Sequence, residues 1–301
     1  MKRILENERL CIEVEDKGAE LVRLYDKEKK AELLWNGDPA YWGRHAPVLF
    51  PNVGRHFRDH FQVQGEFFPS HQHGFARDSE FSCLEDGGTG RILHELKSDE
   101  SSKKVYPFDF SLKVSHALEG SRLIITWEVF NPGSQTMFFA IGGHPAFRVP
   151  ADSYREHKLY FEEKSSLIYY LIDPKGSGTV LAKEPHILAL KEGCYALDRL
   201  CDGEKVLADA LFDRDALVFD NGQIETVSLL APDGKAILKL AGKGFANFGI
   251  WSAPGAPFVC LEPWAGRADD FGYEGEMKDK PGINALPAGE CFSREYTIEV
   301  F

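Results

Sequence analysis

The sequence lacks an apolar run long enough to cross a bilayer. Its apolar segments, such as residues 137–141 and 229–231, fall far short of the roughly 20 residues that a spanning helix needs. Acidic side chains interrupt the first residues of the chain, and no apolar signal core follows them. We therefore expect no membrane partner, and we expect the protein to stay in the cytoplasm.

Positive charge is also scarce. Lys and Arg number 35 against 47 Asp and Glu, so the formal net charge is −12. Nucleic-acid-binding proteins normally carry a basic stripe, and anionic membrane surfaces attract basic segments. The charge balance therefore argues against nucleic acid as a partner and against docking on a membrane.

The six cysteines include no CxxC pair, and no two of them lie at the spacing of zinc ligands. In a reducing compartment such scattered cysteines are free thiols, several of them buried. The metalloprotease pattern HExxH is missing as well. We predict no metal site and no cofactor.

Aromatic residues are plentiful, with 22 Phe, 10 Tyr and 5 Trp, and this enrichment favours strands. Apolar and polar residues alternate through several segments that are separated by turn residues, a pattern typical of hairpins. The predicted pairs and the last predicted strand are residues 110–118 with 123–129, 227–230 with 236–240, 11–14 with 19–26, and 295–301.

Strands recur at intervals of about 10 residues, which indicates an all-β fold built as a large antiparallel β-sandwich. The best helical window, residues 196–211, is broken by Cys201-Asp202-Gly203. No linker, repeat or low-complexity tract divides the chain. We expect a single domain over residues 1–301.

Histidine and arginine are concentrated early in the chain. Five of the ten histidines lie between residues 45 and 73. This concentration indicates either solvated loops or a polar site to which neighbouring loops contribute side chains. His71 and His73 are spaced to share one face of a strand. The arginines of this stretch are Arg44, Arg55, Arg58 and Arg77.

A second candidate is His144, which follows two glycines and precedes a proline at the end of an apolar strand. Glycine allows unusual backbone angles or the close approach of another group, and proline restricts the residue before it to extended forms. A histidine fixed in this way is either aimed at a site or held in the core.

The third candidate is Glu262, which ends an apolar strand and precedes Pro263-Trp264. A buried carboxyl is costly unless it has partners, and burial perturbs its pKa. Glu262 is therefore either a salt-bridged strand end or a general base beside an aromatic platform, Trp264, of the kind on which sugar rings pack.

Other catalytic templates are missing. The sequence contains no GxSxG, no P-loop and no Rossmann glycine pattern. Asp269-Asp270 is the obvious pair of carboxylates for glycoside hydrolysis. Adjacent acids on a loop usually form a solvated edge, and we expect that of this pair.

Taken together, these segments resemble the aldose 1-epimerase (galactose mutarotase-like) family, and above all its shorter bacterial branch. The likeness spans about residues 10–300. Its motifs appear in the family's order, and they are residues 46–55, 73–77, 106–108, 143–147, 250–251 and 261–264.

The resemblance implies an antiparallel β-supersandwich with a sugar cleft and a reaction that interconverts the α and β anomers of a free sugar. By motif, Glu262 takes the general-base position and His144 the general-acid position, and Arg55 and His73 match substrate-binding residues. Arg77 is a further candidate, and Asp215 and Asp220 compete for the position of a sugar-binding aspartate. A carboxylate that accepts a proton and a protonated imidazole that donates one suit this chemistry.

Two alternatives stay open. The same cleft would serve a carbohydrate-binding or sugar-sensing protein without turnover, or another enzyme such as a lyase or glycosidase. The four arginines of residues 44–77 would suit a phosphorylated sugar, or would bind neutral hydroxyls. The family likeness implies a monomer or homodimer.

Overall fold

Strands dominate the computed structural model, which describes residues 1–173, 180–197, 212 and 215–301. The helical turns in these ranges are short 3-10 turns at Phe57–Asp59, Ala76–Asp78, Ser102–Lys104, Tyr154–Glu156 and Met277–Asp279. Within the same ranges, no helix has the length and apolar character needed to cross a membrane.

The described residues form 25 strands. The first thirteen are β1 (Lys2–Glu6), β2 (Leu10–Glu15), β3 (Leu21–Asp26), β4 (Ala31–Glu32), β5 (Val48–Leu49), β6 (His60–Val63), β7 (Glu66–Pro69), β8 (Ser82–Asp86), β9 (Arg91–Lys97), β10 (Ser111–Glu119), β11 (Arg122–Phe130), β12 (Met137–Phe139) and β13 (Ile141–Gly143). The others are β14 (Ala146–Arg148), β15 (Lys158–Tyr160), β16 (Ser166–Asp173), β17 (Val180–Ala189), β18 (Cys194–Ala196), β19 (Leu217–Phe219), β20 (Thr226–Leu230), β21 (Ala236–Ala241), β22 (Asn247–Trp251), β23 (Phe258–Ala265), β24 (Asn284–Leu286) and β25 (Cys291–Val300).

Two large antiparallel sheets form the sandwich. One has nine strands in the order β18-β15-β20-β21-β25-β11-β10-β9-β8. The other has eight strands, in the order β17-β16-β19-β22-β23-β13-β5 with β14 paired to β23. Strands β1 to β4 make a smaller sheet, and β12-β24 and β6-β7 are two-stranded.

The core lies between the two large sheets. In β10 and β11 the alternating residues Leu112, Val114, Ile125 and Trp127 are buried, as the period-two pattern predicts. The ring of Trp127 and the hydroxyl of Tyr296 lie against the backbone of Gly143 in the opposite sheet. All eight residues of β23 are buried, because one face of this strand contacts the core and the other faces a cavity.

The predicted hairpins are confirmed. Strands β10 and β11 pair over their whole length, β20 pairs with β21 through a bulge, and β2 pairs with β3. The last strand is longer than expected, since β25 begins at Cys291. Most of the helical window at 196–211 lies outside the described residues.

Candidate active site

A cavity of about 310 Å³ lies against one face of β23. This volume is at the lower end of the range of small-molecule sites. The wall combines aromatic, apolar, cationic and acidic side chains. Its residues are Trp42, Gly54, Gln72, His73, Arg77, His144, Ile172, Asp215, Ala216, Val218, Trp251, Glu262, Trp264 and Ala268.

A gap in strand pairing brings His144 to Glu262. Strand β13 pairs with the end of β23, and β14 pairs with its beginning. His144 and Pro145 bridge the two pairings, so that His144 lies opposite Glu262 in the middle of β23. The His144 Nε2 and Glu262 Oε2 atoms are 3.4 Å apart. Neither oxygen of Glu262 has a hydrogen-bond partner in the described part of the chain, although Glu262 is only 1% exposed.

Trp264 lies two residues beyond Glu262 on the same face of β23 and forms part of the cavity floor. Its indole ring lies flat over the neighbouring strands, which carry glycine where it passes. A Cβ at Gly142 of β13 would lie 2.4 Å from Trp264 Cδ1, and one at Gly249 of β22 would lie 2.3 Å from Cζ2. The glycine before Gly143-His144 is therefore needed for the close approach of an aromatic ring.

Two more tryptophans hold His144. The Trp42 ring stacks on the imidazole with a centroid distance of 4.8 Å and an interplanar angle of 26°. Trp251 meets the imidazole edge-on at 5.7 Å. The His144 backbone N–H donates to the carbonyl oxygen of Pro47 at 3.2 Å. These contacts fix the direction in which the imidazole presents Nε2.

Burial disfavours charge on both members of the pair. The pKa of the Glu262 carboxyl is raised well above its usual value, first by burial and then by the charge of Asp215. The Trp264 indole N–H opposes the shift, although it lies outside hydrogen-bonding geometry. Burial lowers the pKa of His144 to about 3, and the charge of Arg77 adds to this. The surroundings thus favour a neutral pair over the expected carboxylate and imidazolium. The two states hold the same number of protons and differ only in which group carries one.

His73 enters the cavity from a strained turn. Its φ of 65° is left-handed, a conformation that costs energy for a residue with a side chain and often occurs at functional sites. The backbone N–H of Gly54 donates to His73 Nδ1 at 3.1 Å, so the ring proton of the neutral form lies on Nε2. Burial lowers the pKa of His73 well below its usual value. His73 therefore offers a neutral N–H donor.

The arginines of residues 44–77 divide into inner and outer groups. Arg77 lines the cavity, donates to the Gln72 carbonyl oxygen at 2.7 Å, and has its pKa lowered to about 10 by burial and by the charge of Arg44. Arg55 does not line the cavity; it donates to Asp59 at 2.8 Å, and its charge only opposes the rise that burial causes in the pKa of Asp215. Arg58 is exposed and pairs with Glu274 at 2.6 Å.

Asp215, and not Asp220, lines the cavity. Asp215 is held at a left-handed φ of 70°, and its Oδ1 accepts from the backbone N–H of Ala216 at 2.8 Å. Burial raises its pKa. Asp220 instead accepts from Asn247 at 2.7 Å and pairs with Arg267 at 2.9 Å. The structure therefore favours Asp215 between the two aspartates that the sequence leaves open.

Six of the site residues singled out from the sequence line the cavity, and they are His73, Arg77, His144, Asp215, Glu262 and Trp264, whereas Arg55 and Asp220 do not line it. Sequence reasoning missed Trp42 and Gln72, which lie in loops without a periodic pattern. It also gave no role to Trp251, although that residue falls within a motif of the family resemblance. The expected shared face of His71 and His73 is wrong, because both lie around a turn, with His71 exposed and His73 buried.

The expectation of a solvated edge at Asp269-Asp270 is also wrong for Asp269. This carboxylate is 3% exposed and lies 2.5 Å from Lys280 Nζ. Its other oxygen accepts from the backbone N–H of Phe57 at 2.8 Å. Asp270 pairs with Arg267 at 2.8 Å, so both acids are structural partners of basic residues.

The described cysteines are free thiols, as expected: Cys11 and Cys260 are buried, Cys83 and Cys194 are partly buried, and Cys291 is exposed. Cys201 lies outside the described residues. Two groups of possible metal ligands occur in the described ranges, and they are Asp16, Cys83 and His94, and His144, Cys260 and Glu262.

Comparison with known proteins decides the family. The family model of aldose 1-epimerase matches residues 2–181. The chain belongs to the aldose 1-epimerase family. Among curated proteins, it is 28% identical to the plasmid-encoded protein LacX of Lactococcus lactis subsp. lactis over 307 residues, which covers 98% of each chain.

Solved structures of related proteins support the same family and fold. A galactose mutarotase related enzyme from Lactobacillus acidophilus is 29% identical with a TM-score of 0.88, over 100% of this chain and 97% of the other. A galactose mutarotase-like protein from Lactobacillus casei is 27% identical with a TM-score of 0.86, over 100% of both chains. The expected galactose mutarotase-like sandwich is thereby confirmed.

Proposed function

We propose that this member of the family is an aldose 1-epimerase, which interconverts the α and β anomers of an aldose or aldose phosphate. The observation that carries the proposal is the pairing of Glu262 with His144. A carboxyl with two unpartnered oxygens lies 3.4 Å from a fixed imidazole nitrogen, at the wall of a cavity that also presents His73, Arg77 and Asp215.

Mutarotation needs one group that takes a proton and another that gives one. Glu262, as carboxylate, removes the proton of the anomeric hydroxyl, and a C1=O1 double bond forms as the bond from C1 to the ring oxygen breaks. His144 gives its Nε2 proton to the ring oxygen. The open-chain aldehyde turns about C1–C2, and closure returns both protons. Each group would contribute roughly 100- to 10,000-fold in rate.

One proton that can lie on either Glu262 or His144 explains how this buried pair can catalyse both directions of anomer interconversion. Burial favours the proton on Glu262, with both groups neutral. A sugar hydroxyl that donates to the Glu262 oxygens stabilises the carboxylate, and so favours transfer of the proton to His144. Because the reaction is reversible, each group acts as acid in one direction and as base in the other.

The remaining polar groups fit a sugar ring. Neutral His73, the guanidinium of Arg77 and the carboxyl of Asp215 supply donors and acceptors for ring hydroxyls, while Trp264, Trp42 and Trp251 offer apolar faces for the C–H groups. The cation at Arg77, with Arg44 near it, is the reason to include phosphorylated sugars among the candidate substrates.

Exchange measured by NMR on a panel of aldoses and hexose 6-phosphates tests the proposal. We expect the wild type to accelerate anomer exchange on at least one sugar, and we expect Glu262→Gln and His144→Asn to lose most of that acceleration while they stay folded. Glu225→Gln, at an exposed acid, is the matched control and should keep the wild-type rate.

Three results would contradict the assignment. Wild-type rates in either cavity variant would remove Glu262 or His144 from the chemistry. Saturable binding of a sugar without faster exchange would favour the alternative of a sugar-binding protein that does not turn over. Consumption of a glycoside or uronate with formation of a new product would indicate a glycosidase or lyase.

A further inference from the structure

Cys260 completes a group of three possible metal ligands beside the cavity. The ligand atoms of Cys260, Glu262 and His144 all lie within 4.8 Å of one another, and all three residues are buried. Cys260 and Glu262 are two residues apart on β23, so their side chains share one face. Cys260 pairs in register with Ala146, two residues beyond His144, which brings the thiol alongside the imidazole.

The carboxyl of this group is not used by the rest of the described protein. Both oxygens of Glu262 lack a hydrogen-bond partner within the described ranges. A buried carboxyl without partners is unfavourable, and a ligand that binds it recovers the missing interactions. The cavity gives access, since both His144 and Glu262 line it.

The donor set selects a particular class of cation. A thiolate, an imidazole and a carboxylate suit Zn²⁺ and Co²⁺, whereas Mg²⁺ and Ca²⁺ prefer oxygen ligands alone. In a tetrahedral zinc site with bonds of about 2.0–2.3 Å, neighbouring ligand atoms are roughly 3.3–3.8 Å apart. The 3.4 Å between His144 Nε2 and Glu262 Oε2 already matches, and Cys260 Sγ lies within 4.8 Å of the ligand atoms of the other two residues.

Charge balance also favours a dication. When the metal binds, Cys260 and Glu262 each release one proton to solvent, and His144 stays neutral. The two negative charges then neutralise the metal, so the buried complex carries no net charge. A position remains open toward the cavity for water, as in zinc sites with three protein ligands.

The other group of possible ligands, Asp16, Cys83 and His94, makes a useful contrast. Both Asp16 oxygens accept from Arg3, each at 2.9 Å, and Oδ1 also contacts His94 Nε2 at 3.0 Å. A bound metal would have to displace these partners and would lie beside a guanidinium. At the cavity, by contrast, Glu262 has no hydrogen-bond partner to displace within the described residues.

We propose that Cys260, Glu262 and His144 bind Zn²⁺ from the cavity and that the bound metal inhibits the enzyme. The ion is an inhibitory ligand and not a cofactor, because it occupies the two groups that the proposed reaction needs free. Binding itself does not depend on the proposed function, whereas inhibition rests on it.

Titration with Co²⁺, with the thiols kept reduced and no sugar present, tests the binding. We expect one equivalent to produce a cobalt–thiolate charge-transfer band in the near ultraviolet, and Zn²⁺ to abolish it by competition. Cys260→Ser and Cys260→Ala should lose the band and bind Zn²⁺ on the order of 100-fold more weakly, since one of three protein ligands is gone. Cys83→Ser and Cys291→Ser are matched controls and should keep both.

A band that persists in folded Cys260 variants, or one that is lost in Cys83→Ser, would overturn the site, as would a wild type with no thiolate band. Circular dichroism establishes that the variants are folded. The second readout is anomer exchange, in which Zn²⁺ should inhibit the wild type and should inhibit Cys260→Ala only at concentrations roughly 100-fold higher. Because the cobalt band needs no sugar, it decides the metal site even if the protein has no epimerase activity.

Discussion

Two buried polar clusters, one at Glu262 and one at Asp269, differ in how their atoms are paired. Glu262 and His144 face the cavity, and both Glu262 oxygens lack hydrogen-bond partners. Asp269, in the loop after β23, binds Lys280 at 2.5 Å and the backbone of Phe57 at 2.8 Å. In the first cluster, carboxyl oxygens next to the cavity lack hydrogen-bond partners among the described residues. In the second, both carboxylate oxygens are bound by other groups of the protein.

The difference separates two roles for buried charge. A buried polar group that is fully paired joins segments of the fold, and here Asp269 connects the loop of residues 266–281 to the segment that carries Arg55, whose carbonyl oxygen accepts from the Asp269 backbone N–H at 3.0 Å. A buried group left unpaired lowers stability, and is explained if a ligand supplies the missing bonds. Substitutions should therefore affect activity in one cluster and stability in the other.

The largest effect is expected from Glu262→Gln. We expect the catalysed rate to fall roughly 100- to 10,000-fold, because the amide cannot accept the anomeric proton. The free energy of unfolding should not decrease, since the variant replaces one unpartnered buried polar group with another of the same shape. Anomer exchange and urea denaturation measure the two quantities. A loss of stability comparable to that of a buried ion pair would erase the contrast between the clusters.

Lys280→Met should act in the opposite way. Removal of the ammonium leaves Asp269 buried without its cation, so we expect a loss of about 3–5 kcal/mol in the free energy of unfolding. The double variant with Asp269→Asn should recover part of this loss. Lys278→Met, at an exposed lysine two residues away, is the control, and an equal effect there would show that burial of the pair is not the cause.

A smaller effect should distinguish the two aspartates. We expect Asp215→Asn to weaken sugar binding or raise KM roughly 10- to 100-fold with little change in stability, because a charged acceptor at the cavity is lost. Asp220→Asn should mainly lower stability, since its partners are Asn247 and Arg267. The reverse pattern in KM and urea denaturation would assign the sugar contact to Asp220.

The smallest effect concerns His116, a buried histidine that does not line the cavity. Burial lowers its pKa to about 3, below the value near 6.5 of an unfolded histidine. The unfolded chain therefore binds more protons as the pH falls below 6.5, and stability declines with it. We expect His116→Leu to reduce this decline by about 1.4 kcal/mol per pH unit between pH 6 and 4.

Urea denaturation across that pH range measures the slope for His116→Leu. His71→Gln, at an exposed histidine, should leave the slope as it is in the wild type. Parallel slopes for wild type and His116→Leu would mean that His116 is protonated in the folded protein.

The sequence was most informative where a pattern is local. Period-two alternation predicted β10, β11 and the other hairpins because each strand exposes one face to the core. His144 and Glu262 stood out because glycine, proline or an apolar strand next to them is unusual for a polar residue. Both signals lie within a few neighbouring positions.

Partners distant in the chain were not predictable. Asp269 looked like a solvated acid because its cation, Lys280, lies in a later loop and no spacing rule connects the two. Trp42 stacks on His144 from a loop whose path depends on the whole sheet. Cys260 and His144 come together only through the register of β14 with β23, so their relationship as possible ligands could not be read from cysteine spacing.

The two glycines beneath Trp264 have a consequence for evolution and engineering. Gly142 and Gly249 meet the indole where a methyl group would lie at 2.4 and 2.3 Å, and a side chain at either position would lift the ring into the cavity. The depth available to a ligand is thus encoded by residues that never touch it. Relatives with bulkier residues at these positions would have shallower clefts, and substrate size could change without any change in the catalytic pair.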